Sequence, residues 1–135
     1  MTPLRRDPLV LVVDDDPDIL DAICEILAGE GYRVARARHG LEALQRVEEE
    51  RPALILLDLM MPVMDGLAFA HAVRQTPRGG DLPIVVISAD GHAQKAFSVG
   101  ARGFLAKPFD IDSLLAHVAD GTGAGARSAA ALRRE

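Results

Sequence analysis

The stretch LVVDDDPDIL, residues 11–20, sets Asp14, Asp15 and Asp16 directly behind an apolar run. Adjacent like charges raise one another's pKa and repel. Three more chemically capable residues stand in similar positions. Asp58 follows the run ALILL, Ser88 ends the run IVVIS, and Lys107 follows GFLA. Gathered in one place, Asp14, Asp15 and Asp58 are untenable without a cation. Ligands that are all oxygen favour Mg²⁺ or a similar hard ion, with Mn²⁺ as the alternative. Lys107 would offer an ammonium to an anion, and Ser88 a hydroxyl donor. Metal, carboxylate, ammonium and hydroxyl are the parts that phosphoryl transfer uses. An aspartate serving as covalent acceptor forms an acyl phosphate.

The surrounding elements decide whether these residues meet. Leu9–Val13, Ala53–Leu57 and Ile84–Ser88 are short continuous apolar runs, the pattern of strands buried on both faces. Tyr32–Ala37 alternates with arginine and predicts a more exposed strand near an edge. Gly103–Ala106 predicts a fifth strand. Between the strands lie helical patterns. Asp16 before Pro17 reads as an N-cap with proline at the first helical position, and Ile19, Ile23, Ile26 and Leu27 follow at helical spacing up to Gly29 and Gly31. Leu41, Leu44 and Val47 mark a second helix. Asp65 or Gly66 starts a third, residues 93–99 form a short fourth, and Asp110 caps a fifth. Strands alternating with helices indicate a parallel sheet covered on both faces. Ligands of such sheets bind outside the carboxyl ends of the strands. In this arrangement the ends carrying Asp14, Asp15, Asp58, Ser88 and Lys107 all point the same way.

Four motifs, VVDDD (12–16), LLDLMMPVMDG (56–66), ISA (87–89) and GARGFLAKPF (100–109), occur in order on these elements. Together they resemble the receiver domain of bacterial two-component response regulators, the family that includes the single-domain chemotaxis regulator. The resemblance covers about residues 9–119. It implies a flavodoxin-like α/β fold, a doubly wound five-stranded parallel sheet of order 2-1-3-4-5 with helices on both faces. It implies a receiver domain over residues 1–120 and a flexible Gly/Ala-rich tail over 121–135. Asp58 is then the phosphoacceptor. Asp15 and Asp58 bind Mg²⁺ directly, Asp14 acts mainly through water, and the Met60 backbone carbonyl completes the protein ligands. Ser88, Ala89, Phe104 and Lys107 form the phosphoryl-binding and switch set, and the bond before Pro108 is cis. The phosphoryl group comes from a histidine kinase or histidine phosphotransfer protein, and the output is a downstream protein partner or self-association. Such a domain is no enzyme beyond its own phosphorylation and dephosphorylation.

The chain departs from the family pattern in two respects. The stretch between Ser88 and Gly100 is about one helical turn shorter than usual, which affects the fourth helix. The switch aromatic is Phe104, where tyrosine is common. Met60 and Asp90 stand at positions that control attacking water during dephosphorylation. Two other functions compete. A haloacid-dehalogenase-type phosphohydrolase also uses an acidic first strand, a lysine and Mg²⁺, but it leaves Asp58 without a role. A pseudo-receiver binding module is expected to lose an acid or the lysine, and here all are present. Dinucleotide binding lacks its glycine fingerprint after the first strand.

Composition sets the outer limits. The 135 residues fit one domain, and 49% hydrophobic residues suffice for one core. A net charge of -5 opposes DNA or membrane-surface binding by this chain alone. No apolar run is long enough to span a bilayer, and no signal-peptide pattern is seen, so a cytoplasmic location is expected. Cys24, the only cysteine, reads as a packing residue. Lys95 and Lys107 are the only lysines. His39, His71, His92 and His117 lack metal-ligand spacing and are expected on the surface. The Glu48–Glu50 run opposes the dipole at the end of its helix.

Overall fold

The computed structural model describes residues 7–61, 64–89 and 93–123. Five strands alternate with five helices: β1 Leu9–Val13, α1 Pro17–Gly29, β2 Arg33–Ala37, α2 Gly40–Glu49, β3 Leu54–Leu57, α3 Gly66–Arg74, β4 Ile84–Ala89, α4 Ala93–Ser98, β5 Gly103–Lys107 and α5 Ile111–Thr122. All pairings are parallel, and the order is β2-β1-β3-β4-β5. The doubly wound architecture expected from the sequence is therefore present, with the arginine-bearing β2 at an edge.

Side-chain alternation explains the continuous apolar runs. Leu11, Val13, Ile55, Leu57, Ile84 and Val86 face one core with Ala43 and Val47 of α2, Phe69, Ala70 and Val73 of α3, and Ala96 of α4. Their neighbours Val10, Val12, Leu54, Leu56, Val85 and Ile87 face a second core with Leu20, Ile23 and Leu27 of α1 and Leu114 and Val118 of α5. Each residue of the runs Leu9–Val13, Leu54–Leu57 and Ile84–Ser88 is thus buried whichever way it points.

The helix ends carry specific caps. Asp16 accepts hydrogen bonds from the Asp18 and Ile19 amides, as a cap rather than a ligand. Gly31 takes the left-handed conformation after α1 (φ 92°), which glycine adopts without strain. His39 is the N-cap of α2: its Nδ1 accepts from the Glu42 amide at 3.2 Å. The acids closing α2 are offset by arginines, with Arg46 on Glu49 and Arg33 on Glu50.

Several sequence expectations shift. Leu41 is half exposed because Ala43 and Val47, not Leu41, face the core. Tyr32 and Ala53 fall just outside their strands, whereas Ala89 and Lys107 belong to β4 and β5. Helix α4 ends at Ser98. Helix α5 continues through Gly121 and Thr122, and a Cβ at Gly121 would lie 2.7 Å from a Leu54 methyl. Gly121 is thus a close-packing position inside the helix. The tail from 124 onward and Asp90 and His92 lie outside the described residues.

Candidate functional site

Register brings the acids together. Val13 pairs with Leu57, so β1 and β3 end level and the next residues, Asp14 and Asp58, emerge side by side. The ladder extends one step beyond the strands: the Asp58 amide donates to Val13 O at 3.0 Å and the Asp14 amide to Ala37 O at 3.1 Å. The backbone at each strand end therefore places its carboxylate. Alternation turns Asp15 outward. Asp14 is 2% exposed and Asp58 5%, whereas Asp15 is exposed. The three still offer carboxylate oxygens within 4.8 Å of one another.

Two further strands complete the pocket. Ser88, the buried penultimate residue of β4, donates from Oγ to Asp58 Oδ1 at 3.4 Å. Lys107, the last residue of β5, reaches across the strand ends. Its Nζ donates to Asp14 Oδ2 at 2.9 Å and to Asp58 Oδ2 at 3.4 Å. The Lys107–Pro108 peptide bond is cis. Backbone amides satisfy the remaining oxygens: the Asp16 amide donates to Asp14 Oδ1 at 2.9 Å and the Met60 amide to Asp58 Oδ1 at 3.1 Å. Met60 is thereby tied to the Asp58 carboxylate, while its side chain is 61% exposed. Ala89 lies opposite Lys107 in the β4–β5 pairing. Phe104 stands apart from the pocket. It pairs with Val86, two residues before Ser88, and is half-buried against the core under α2, α3 and α4.

Three carboxylates against one ammonium leave the pocket with two negative charges. Burial raises the Asp14 carboxyl pKa above its ordinary range, and the Asp16 amide and Lys107 offset this only in part. Burial alone would lower the Lys107 pKa. The hydrogen bond and charge of Asp14, with the charge of Asp58, outweigh it and hold the ammonium above its ordinary value. The donor set fits a hard divalent cation: every available ligand atom is oxygen, and Asp15 accepts no hydrogen bond from any described residue.

The start of α3 also bears on the pocket. A Cβ at Gly66 would lie 2.4 Å from the Asp58 carbonyl oxygen, so α3 begins directly against the backbone of the acid. The Gly66 amide donates to Leu59 O at 3.0 Å, and Asp65 caps α3 through the Ala68 amide at 2.8 Å. The Asp-Gly pair signals a turn in sequence, but nothing local to it reveals the contact with Asp58.

Residues 10–119 match the family model described as "Response regulator receiver domain". This chain belongs to the response regulator receiver domains. Among relatives, the DNA-binding dual master transcriptional regulator RpaA of Synechocystis sp. is 37% identical over 114 residues, 82% of this chain and 47% of its own. Response regulator MprA of Mycobacterium ulcerans is 39% identical over 112 residues, 81% of this chain and 47% of its own. The receiver domain thus spans about half the length of the curated relatives it matches. Among solved structures, chemotaxis response regulator CheY4 of Vibrio cholerae superposes with a TM-score of 0.80 at 34% identity, covering 85% of this chain and 98% of that one. The receiver domain of NtrX from Brucella abortus gives 0.78 at 33% identity, covering 84% and 98%. The protein is a signalling domain of two-component systems. The phosphohydrolase and pseudo-receiver readings are not favoured. Among the described residues no helix is long and apolar enough to cross a membrane.

Proposed function

We propose that this receiver domain accepts a phosphoryl group on Asp58 and signals through Ser88 and Phe104. The observation that carries the reading is the setting of Asp58. Among the described residues it is the one buried acid that faces Asp14, Ser88 and Lys107 at once. An Asp58 carboxylate oxygen attacks the phosphorus of a phosphohistidine. The P–O bond of the acyl phosphate forms as the P–N bond breaks, and the imidazole leaves with the electron pair and takes up a proton. Lys107, already shared between Asp14 and Asp58, shifts toward a phosphoryl oxygen and offsets its charge. Ser88 donates its hydroxyl to another, beside Ala89. Asp14, Asp15, Asp58 and the Met60 carbonyl would hold Mg²⁺, or Mn²⁺ in its place. The bound ion supplies positive charge against the carboxylates and the incoming phosphoryl group.

The phosphodonor is a histidine kinase or histidine phosphotransfer protein. A groove of about 380 Å³, lined by Ile19, Ala22, Ile23, Ile26, Pro108 and Phe109, runs to Lys107 and supports docking of an apolar helical surface beside the pocket. The output reader is a protein partner or a second copy, and a cytoplasmic location accords with both roles. The test is mass spectrometry after incubation with a small acyl phosphate and Mg²⁺. Wild type is expected to gain one acid-labile phosphoryl mass, and Asp58→Asn none. Equal labelling of the two rejects the assignment.

A further inference from the structure

We propose that Gly66 is a positioning residue for the phosphoacceptor: lacking a side chain, it lets α3 press on the Asp58–Leu59 backbone and set where the Asp58 carboxylate sits. The inference rests on Asp58 being the phosphoacceptor. A Cβ at Gly66 would fall 2.4 Å from Asp58 O, 2.6 Å from Leu59 Cα and 3.0 Å from Leu59 Cδ2. The two shortest contacts are to backbone, which cannot swing aside as a side-chain end can. Gly66 is not among the glycines with positive φ, so space and not backbone freedom is the reason for glycine here.

Ordinary carbon contacts lie near 3.5–4 Å, so a methyl group requires a separation of about 1 Å. The two sides differ in how firmly they are held. Helix α3 is anchored by Phe69, Ala70 and Val73, all fully buried. Asp58 and Leu59 lie just past the last residue of β3, and the Asp58 amide makes a single bond to Val13 O. The Asp58–Leu59 backbone therefore yields first, and the carboxylate moves with it. Its bonds to Ser88 and Lys107 are both 3.4 Å long and have no slack. A misplacement of about 1 Å near reacting groups can cost roughly a hundredfold in rate.

Gly79 provides the matching control. A Cβ there would meet Val73 Cγ2 at 2.4 Å and Val73 O at 2.7 Å, equally crowded but against the last turn of α3, at the opposite end of the helix from Asp58. Gly66→Ala and Gly79→Ala are both expected to lower the melting temperature. Only Gly66→Ala is expected to slow labelling by a small acyl phosphate, by about tenfold or more per folded molecule, and to weaken the Mg²⁺-dependent rise in melting temperature. Asp65→Ala is the second variant. It removes the cap of α3 without adding an atom, and it is expected to slow labelling to a smaller degree. A folded Gly66→Ala protein that labels at the wild-type rate overturns the proposal. If Gly66→Ala does not fold, an Asp65→Ala protein with wild-type labelling overturns it instead. Slowed labelling in Gly79→Ala matching that in Gly66→Ala also overturns it, since crowding alone would then suffice. An unlabelled wild type removes the phosphoacceptor reading itself, and this inference with it.

Discussion

Asp15→Asn is expected to invert the stability order of wild type and variant as Mg²⁺ is added. Asp14, Asp15 and Asp58 present oxygens within 4.8 Å of one another. Two unit charges at such a distance repel by about 1 kcal/mol in water and by about 3.5 kcal/mol at an effective dielectric of 20. Asp15 is exposed, which selects the lower figure. Lys107 pairs with Asp14 and Asp58 and not with Asp15, so the outer acid receives least of its compensation. Removing the Asp15 charge in metal-free buffer therefore leaves stability unchanged or raises it by up to about 1 kcal/mol. An ion at ten times its dissociation constant stabilises wild type by about 1.4 kcal/mol. The variant lacks one carboxylate ligand and gains little. The assay is a series of thermal melts from chelator through rising Mg²⁺ at constant ionic strength, because salt also screens the repulsion. Two parallel curves, or a variant already less stable without metal, would refute the argument that mutual repulsion is what the cation relieves.

Lys107→Met is expected to destabilise the protein at neutral pH by about 2 kcal/mol, because Asp14 and Asp58 stay buried without their partner. Lys107 titrates above its ordinary value when folded, so its stabilisation is complete below the ordinary lysine range and is lost as pH rises through the raised value. Denaturant melts of the pair should accordingly converge at high alkaline pH. Asp14 has a raised folded pKa, so between its ordinary and raised values the folded state holds a proton that the unfolded state lacks. In metal-free buffer, wild type should gain stability relative to Asp14→Asn as pH falls through that window, and a flat difference would contradict the burial cause. Ser88→Ala should still be labelled on Asp58, while amide NMR shifts induced by beryllofluoride stop short of Arg102–Leu105. Wild-type shifts that never reach β5 or α5 would remove the switch.

The fold was legible because burial on both faces leaves a mark that periodicity alone reveals. Runs such as Leu9–Val13 admit no polar residue, and the chain places both their faces in cores. The pocket was legible for a related reason: parallel strands end on one side, so Asp14, Asp58, Ser88 and Lys107 had to converge. Less legible were features set by contact across the fold. Leu41 fits a helical stripe, yet the small Ala43 faces the core and Leu41 is left half exposed. Gly121 resembles the start of a linker but is a close contact with Leu54. His39 gives no capping signal in the usual residue preferences, and only the structure shows its Nδ1 on the Glu42 amide. Gly66 reads as a helix start, and its contacts are with Asp58 and Leu59, eight and seven residues earlier in the chain.

Unequal anchoring of the helices decides where a signal from Asp58 would go. Val86 and Phe104 face the core shared by α2, α3 and α4, and Ser88 follows Val86 by two residues on β4. The three helices are not equally secured there. Helix α3 contributes Phe69, Ala70 and Val73, whereas α4 contributes Ala96 alone, with Phe97 59% exposed. One buried methyl group is worth about 0.8 kcal/mol. A hydrogen bond from Ser88 to a charged phosphoryl group is worth about 1.5–3 kcal/mol. The bond to the phosphoryl group would replace the long one from Ser88 to Asp58 Oδ1, and α4 places one buried side chain in this core against three from α3. Segments with few buried contacts open at the lowest cost. Phosphorylation of Asp58 would therefore shift the population of α4 and the adjoining Phe104, and leave α3 seated to hold Asp58 in place. A short fourth helix on this account does not weaken the coupling. It would lower the free energy the pocket must supply to be read at the surface.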